Sequence, residues 1–346
     1  MHPLRLLGVA AALALGPAVP ATAAAAHRHK DVKVQLLAIN DFHGNLQPTT
    51  TGGIRPPTPA GQTTPPAARQ AGGAAYLARY VRRRERTNRN SLVVAAGDLI
   101  GGSPLLSALY HDEPTIEAMN LLGLDLASVG NHEFDEGAAE LRRMQRGGCH
   151  PKDGCKDGDG FAGAKFRYLA ANVVKRRSGR PFFPPYAVRR FQGRKIGFIG
   201  MTLEGTAGIV SPSGIQSLQF LDEAATANRY ARRLKRRHHV RAIVVLLHEG
   251  GFQTVPFNSA TIDTCEGISG PVVDIVKHTT KAVDLFITGH THQAYNCVID
   301  GRPVTSASAF GRLVTDLDLT LGRNGDVKSV KADNIPVYTR SGACSG

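Results

Sequence analysis

The chain has 346 residues, room for one large α/β domain or two average ones, and its 42% hydrophobic share can bury a substantial core, which excludes global disorder. A formal charge of +14 reads first as solvated helix faces, with attraction of anionic substrates or an anionic cell envelope as the functional alternative. Tryptophan is absent and no aromatic residues interleave with the basic runs at 82–86 and 232–237, so direct binding of single-stranded nucleic acid is not expected.

In chain order, the first feature is a leader. Arg5, the apolar run 6–15, Pro17, Pro20 and the alanine-rich stretch 21–26 read as an export signal over residues 1–26. That run is too short to span a bilayer, and no later stretch reaches the ~18 apolar residues a spanning helix needs, so no transmembrane anchor is expected. Strands are expected at 34–39, 92–96, 126–129, 168–172, 196–201, 242–247 and 285–288. Several of these are continuously apolar, as strands buried on both faces are. Helices are expected between them at 73–86, 115–122, 136–145, 223–237 and 271–280, with Pro114 and Pro271 in first turns. The two basic runs fall at helix ends, where cations complement the helix dipole. Residues 48–70 form a Pro-, Thr- and Gly-rich loop insertion, and 149–163 a Gly- and Asp-rich loop that lacks the ligand spacing of an EF-hand. After residue 292 the runs at 303–308 and 313–321, the latter ending at Gly322-Arg323-Asn324-Gly325, read as antiparallel hairpins. Alternating strands and helices give an α/β fold of packed layers over residues 33–340.

Five cysteines are present, at 149, 155, 265, 297 and 344. In an exported chain they are disulfide candidates. Cys149 with Cys155 would close a short loop, and Cys265 with Cys297 would tie a loop to the strand after the last His pair, leaving Cys344 over. The pairing does not follow from sequence, and zinc ligation by Cys149 and Cys155 is the alternative.

Five polar blocks stand where apolar runs give way to loops: Asp41-Phe42-His43, Gly97-Asp98, Gly130-Asn131-His132-Glu133, His248-Glu249 and Gly289-His290-Thr291-His292. In open α/β sheets, ligands gather at the carboxyl ends of strands. Asp41 and His43, two apart, are expected on the same side of an extended segment. Two Asp, one Asn and four His select divalent ions such as Zn²⁺, Mn²⁺, Fe²⁺ or Mg²⁺ and suit a two-metal hydrolytic centre. Any single block is weak, since Asp-x-His and Gly-Asp also occur in solvated turns. Their order is what carries the inference.

The blocks in this order, extended to Asp41-Phe42-His43-Gly44-Asn45-Leu46, Gly97-Asp98-Leu99-Ile100-Gly101-Gly102-Ser103-Pro104, Gly130-Asn131-His132-Glu133-Phe134-Asp135 and Leu247-His248-Glu249-Gly250, resemble the calcineurin-like metallophosphoesterases. Together with Ala71-Gly72-Gly73-Ala74-Ala75-Tyr76-Leu77, they are similar to the secreted bacterial 5′-nucleotidase branch, which includes UDP-sugar hydrolases and 2′,3′-cyclic-nucleotide phosphodiesterases. The resemblance covers residues 34–339. It implies two packed mixed sheets flanked by helices, and two divalent metal ions. Asp41, His43 and His292 would hold one ion, Asn131, His248 and His290 the other, and Asp98 would bridge. It implies a catalytic dyad of His132 and Asp135, although a carboxylate at that position also reads as a plain helix cap.

The expected function is hydrolysis of nucleotides or related phosphate esters outside the cytoplasm. A phosphodiesterase preference is the runner-up, and a non-catalytic exported protein the reading from another class. The two-domain members of that branch carry a C-terminal nucleotide-binding domain, and a single catalytic domain without it is the expectation for these residues.

Overall fold

A computed structural model describes residues 30–339 except 50–52, 57, 59, 65, 157 and 256–260. The leader and Cys344 lie outside the described residues. In chain order the elements are β1 (Val32–Ile39), α1 (Ala74–Glu85), β2 (Ser91–Ala95), α2 (Leu105–Ala108), α3 (Glu113–Leu122), β3 (Leu126–Ser128), α4 (Gly137–Arg146) and β4 (Arg167–Leu169). There follow β5 (Val173–Lys175), β6 (Tyr186–Phe191), β7 (Arg194–Thr202), α5 (Pro212–Ile215), β8 (Leu218–Phe220), α6 (Glu223–His238) and β9 (Ala242–His248). The last are α7 (Pro271–His278), β10 (Leu285–Thr288), β11 (Ala294–Ile299), β12 (Arg302–Ala307), β13 (Leu313–Leu321) and β14 (Val327–Pro336).

The strands build two six-stranded mixed sheets. In the first, ordered β14-β13-β1-β2-β3-β4, strands β1 to β4 are parallel and β13 runs antiparallel to β1. In the second, ordered β11-β12-β10-β9-β7-β6, the inner four strands are parallel and both edges antiparallel. A ribbon of β5 and β8 stands apart.

The apolar runs are continuous because each central strand serves two cores. Along β1, Val34, Leu36 and Ala38 enter the core between the sheets, against Phe198, Val244 and Leu246. Leu37 and Ile39 point the other way, toward Leu77 and Val81 of α1 and Ile116 and Met119 of α3. Along β9, Val244 and Leu246 face the first sheet, while Ile243, Val245 and Leu247 meet Tyr230 and Leu234 of α6 and Val272 and Val276 of α7. Each such Val, Leu, Ile, Phe or Met side chain contributes roughly 1.5–3 kcal/mol on burial. The result is a helix–sheet–sheet–helix layering, in which the strand period of two is spent on two different apolar environments.

Two expected elements are shorter than read. The strand at 168–172 ends at Leu169, because Ala170 turns to donate its N–H to Pro184 O and the Asn172 side chain bonds Thr202. The helix from Pro271 stops at His278, with Thr279 extended. Cys149 is bonded to Cys155 and Cys265 to Cys297. The first bond leaves no thiolate for zinc, so that alternative is withdrawn.

Candidate metal centre

All five polar blocks lie at carboxyl ends of strands, and the two sheets bring those ends to one place. β1, β2 and β3 of the first sheet deliver Asp41 with His43, Asp98, and Asn131, while β9 and β10 of the second deliver His248 and the pair His290 and His292. The parallel pairing of β1 with β2 is prolonged past the strands. The N–H groups of Asp41, His43 and Gly44 donate to the carbonyls of Gly97, Asp98 and Leu99, each at 3.0 Å. Across the sheets, the His290 N–H donates to both carboxylate oxygens of Asp41 at 3.0 Å, and the Phe310 N–H to the Asp41 carbonyl at 2.7 Å.

The backbone here is not the extended segment expected for Asp41-x-His43. Asp41, His43, Asp98, His290 and His292 have φ of 49°, 46°, 51°, 72° and 55°, so five of the seven residues read as metal ligands occupy the left-handed region. Such residues cost of order 1–3 kcal/mol each and persist where the surroundings over-determine them, which is typical of functional sites. Small residues make room for them. A Cβ at Gly130 would lie 2.1 Å from Asp98 Oδ1, and Gly97, with φ +85°, passes close to the His248 ring.

The side chains fall into groups with the chemistry of cation sites. Ligand atoms of Asp41, His43 and His292 lie within 4.8 Å of one another, as do those of Asp98, His248 and His290. His43 Nε2 is 3.1 Å from His292 Nε2 and 3.6 Å from Asp98 Oδ2, while His248 Nε2 is 2.9 Å from Asp98 Oδ2 and 3.1 Å from Asn131 Oδ1. Ligands about 2.0–2.1 Å from a tetrahedral ion stand a little over 3 Å apart, the spacing found here. The imidazole tautomers also follow. His43 Nδ1 lies 2.8 Å from the Gly101 carbonyl and His248 Nδ1 2.7 Å from the Ala96 carbonyl. A carbonyl only accepts, so both Nδ1 atoms carry a proton and both Nε2 atoms face the centre, the orientation of metal-bound histidines. The donor set therefore fits two divalent ions, with Asp98 in the second group and 3.6 Å from His43 of the first.

Electrostatics agree. Asp41 and Asp98 are buried, and their ion-pair-range contacts are to histidine nitrogens. Burial lowers the pKa of His43 and His290 despite nearby carboxylates, favouring the neutral ring that binds metal. Burial also opposes charge on Asp98 and His248, but their contact overrides it. It holds the Asp98 carboxyl below its usual range and pulls His248 up to about 10. A cation entering such a site competes with that proton.

His132 and Asp135 sit at the rim. His132 Nδ1 is 2.8 Å from Asp135 Oδ2, the rings of His132 and His43 are 5.0 Å apart, and the His132 N–H donates to Asp98 Oδ1 at 2.9 Å. The Asp135 carboxylate also accepts the Gly102 N–H at 3.2 Å. Its side chain does not cap α4: residue 136 precedes that helix and no side chain caps it, which corrects the alternative reading. The hydrogen bond to Asp135, against burial, raises the pKa of His132.

Three further residues were not singled out from sequence. Glu133, buried, accepts the N–H groups of Asp98 at 2.9 Å, Leu99 at 2.7 Å and Gly130 at 2.5 Å, locking two loops together. Burial, then the Asp98 charge, pushes its pKa up to about 7. Asn40 donates to Asp41 Oδ2 at 2.7 Å and to Ser308 O at 2.5 Å and accepts the Ala307 N–H at 2.8 Å, so it aims Asp41. Asp112 accepts the Gly101 N–H at 3.0 Å and so supports the carbonyl that orients His43. Glu133 lies within a polar block, where sequence gave it no role, and Asn40 adjoins one, a usable signal. Asp112 gives none in sequence.

The family model for calcineurin-like phosphoesterases matches residues 34–294. Endonuclease YhcR of Bacillus subtilis is 33% identical over 84% of this chain and 22% of its own length. A 5′-nucleotidase of Vibrio parahaemolyticus is 27% identical over 71% of this chain and 43% of its own. The chain thus spans less than half the length of either relative. The solved structure of the calcineurin-like phosphoesterase YfkN from Bacillus subtilis superposes with a TM-score of 0.67 at 23% identity, covering 90% of this chain and 93% of that one, and shares the fold.

Proposed function

The chain belongs to the calcineurin-like phosphoesterase family, and we propose that it is an exported two-metal phosphoesterase acting on nucleotides or related phosphate esters. The observation that carries this is the pair of ligand groups joined through Asp98, with the His43 and His248 tautomers fixed by backbone carbonyls. Asp41, His43 and His292 would hold one ion, Asn131, His248 and His290 the other, and Asp98 both. Two divalent ions bound there supply Lewis-acid polarisation of a phosphoryl oxygen and a water of lowered pKa. Asp135 holds the His132 ring, with Nδ1–H donated to the carboxylate, so that Nε2 faces the cleft. A protonated Nε2 donates to a phosphoryl or leaving-group oxygen as negative charge builds on it. The two disulfides and the leader-like sequence support a site of action outside the cytoplasm.

The test is turnover of AMP and of bis-p-nitrophenyl phosphate by EDTA-stripped protein given Mn²⁺ or Zn²⁺. Metal-dependent hydrolysis is expected, and no turnover of either substrate with either ion overturns the reading. The relative named an endonuclease favours a second reading, a phosphodiesterase, which the ratio of diester to monoester rates decides.

A further inference from the structure

Beside the candidate metal centre lies a cavity of about 320 Å³ lined by Leu46, Pro48, Thr49, Pro104, Leu106 and Phe310 among others. Phe310 connects the two. Its ring meets His292 edge-on at 5.3 Å and His43 at 6.0 Å, and the Arg312 guanidinium covers it at 5.2 Å. Phe310 has φ +62°, a conformation that is a genuine outlier for a bulky residue. It is held there by the hydrogen bond from its N–H to the Asp41 carbonyl. Strain of this kind marks positions whose side-chain placement matters.

Leu106 of α2 lines the cavity and is 49% exposed, and Leu105 and Leu109, outside the lining, are 74% and 49% exposed, three of the seven large hydrophobics so exposed among the described residues. The cavity also has a polar element. Thr49, in its lining, and Ser103, against Gly44, each bury a hydroxyl oxygen with no hydrogen-bond partner among the described residues. A small concave site with aromatic and aliphatic walls and a few unsatisfied polar atoms is the usual form of a ligand pocket.

We infer that this cavity is the subsite for the organic group of the phosphate ester, and that it takes a planar or aromatic group, such as a nucleobase, against Phe310 and Leu106. The inference rests on the phosphoesterase reading and names its substrate class. The ester's phosphoryl end would lie at the histidines while its organic end occupies the cavity on the other side of Phe310. Aliphatic esters such as glycerol phosphate leave the cavity unfilled.

Two measurements test this, one without turnover. In the first, kcat/KM is determined for p-nitrophenyl phosphate and for glycerol 2-phosphate in the wild type and in Leu106→Ser. The ratio of the two is expected to fall about five- to tenfold in the variant, mainly through KM. A ratio within twofold of wild type overturns the inference. In the second, adenosine, which has no phosphate to cleave, is titrated calorimetrically into the wild type, Leu106→Ser and Phe310→Ala. Binding that both variants weaken at least fivefold supports the subsite. No binding to the wild type at millimolar adenosine, or equal binding to all three proteins, overturns it. Adenosine binding with no turnover of any ester would instead sink the phosphoesterase reading and leave the subsite standing.

Discussion

Replacing Gly130 by Ala adds one methyl group at the point where the two ligand groups meet. The new Cβ would stand 2.1 Å from Asp98 Oδ1 and 2.6 Å from the Asp98 nitrogen, against a practical minimum of 3.0 Å, so the carboxylate must move by about 0.9 Å (3.0 minus 2.1). Backbone conformation adds no penalty, because Gly130 does not have a positive φ. Less freedom in the unfolded chain stabilises Ala by about 0.4–1 kcal/mol, whereas overpacking costs about 1–3 kcal/mol, so net destabilisation near 1–2 kcal/mol is expected without metal. The larger effect falls on metal binding. Ligand distances tolerate only about 0.2 Å, and Asp98 lies 2.9 Å from His248 and 3.6 Å from His43. Affinity should therefore fall at least ~10²-fold. At a metal concentration about 100 times the wild-type Kd, linkage contributes roughly 2.7 kcal/mol to the wild type and roughly 0.4 kcal/mol to the variant. For the unit Asp31–Gly346 that difference corresponds to about 3–4 °C in Tm. Thermal melts with and without Mn²⁺, with metal content by mass spectrometry and p-nitrophenyl phosphate hydrolysis, measure each part. A variant that keeps wild-type metal content and the full metal-induced rise in Tm would refute the proposal that Asp98 bridges two ions.

The other expectations address separate parts of the molecule. His132→Ala should lower kcat about 10²-fold or more with metal content intact; an unchanged kcat removes His132 from the chemistry, and lost metal makes it a ligand. Glu133→Gln should destabilise by about 1–3 kcal/mol in urea unfolding, because an amide nitrogen must face a backbone N–H where a carboxylate oxygen now accepts. Wild-type stability would show that the buried loop contacts are not made. The disulfides, with sequence separations of 6 and 32, should differ in worth. Loop-closure entropy gives about 2 kcal/mol for Cys149–Cys155 and about 3.5 kcal/mol for Cys265–Cys297. Double Cys→Ala variants compared by denaturant midpoint test that order, and equal losses would contradict it.

Much of the fold is legible locally. The runs that became β1, β2, β7, β9 and β10 are apolar without alternation because both faces of each strand are covered, and the helices between them carry their own termination signals. Other elements gave little signal. β6 is an edge strand with three polar residues, Arg189, Arg190 and Gln192, at or beside its end, and β5, β8, α2 and α5 are three or four residues long, too short for a period to show. The 168–172 run read too long because its last residues are buried by tertiary hydrogen bonds rather than by the sheet.

The sequence alone determined which residue types were available and in what order: two Asp, one Asn and four His at strand ends, with His132 and Asp135 three apart. Side-chain chemistry and strand periodicity are local properties, so spacing reports them. Only the tertiary structure decided that these side chains share one centre, since β3 and β9 belong to different sheets and meet through core packing across the molecule. It alone set Asp41, His43, Asp98, His290 and His292 in left-handed backbone, a strained state that long-range hydrogen bonds maintain and no local propensity would choose. It also gave Glu133, Asn40 and Asp112 their supporting roles and placed Phe310 beside His43; the contacts of Glu133, Asn40 and Phe310 join segments far apart in the chain, and that of Asp112 with Gly101 spans 11 residues.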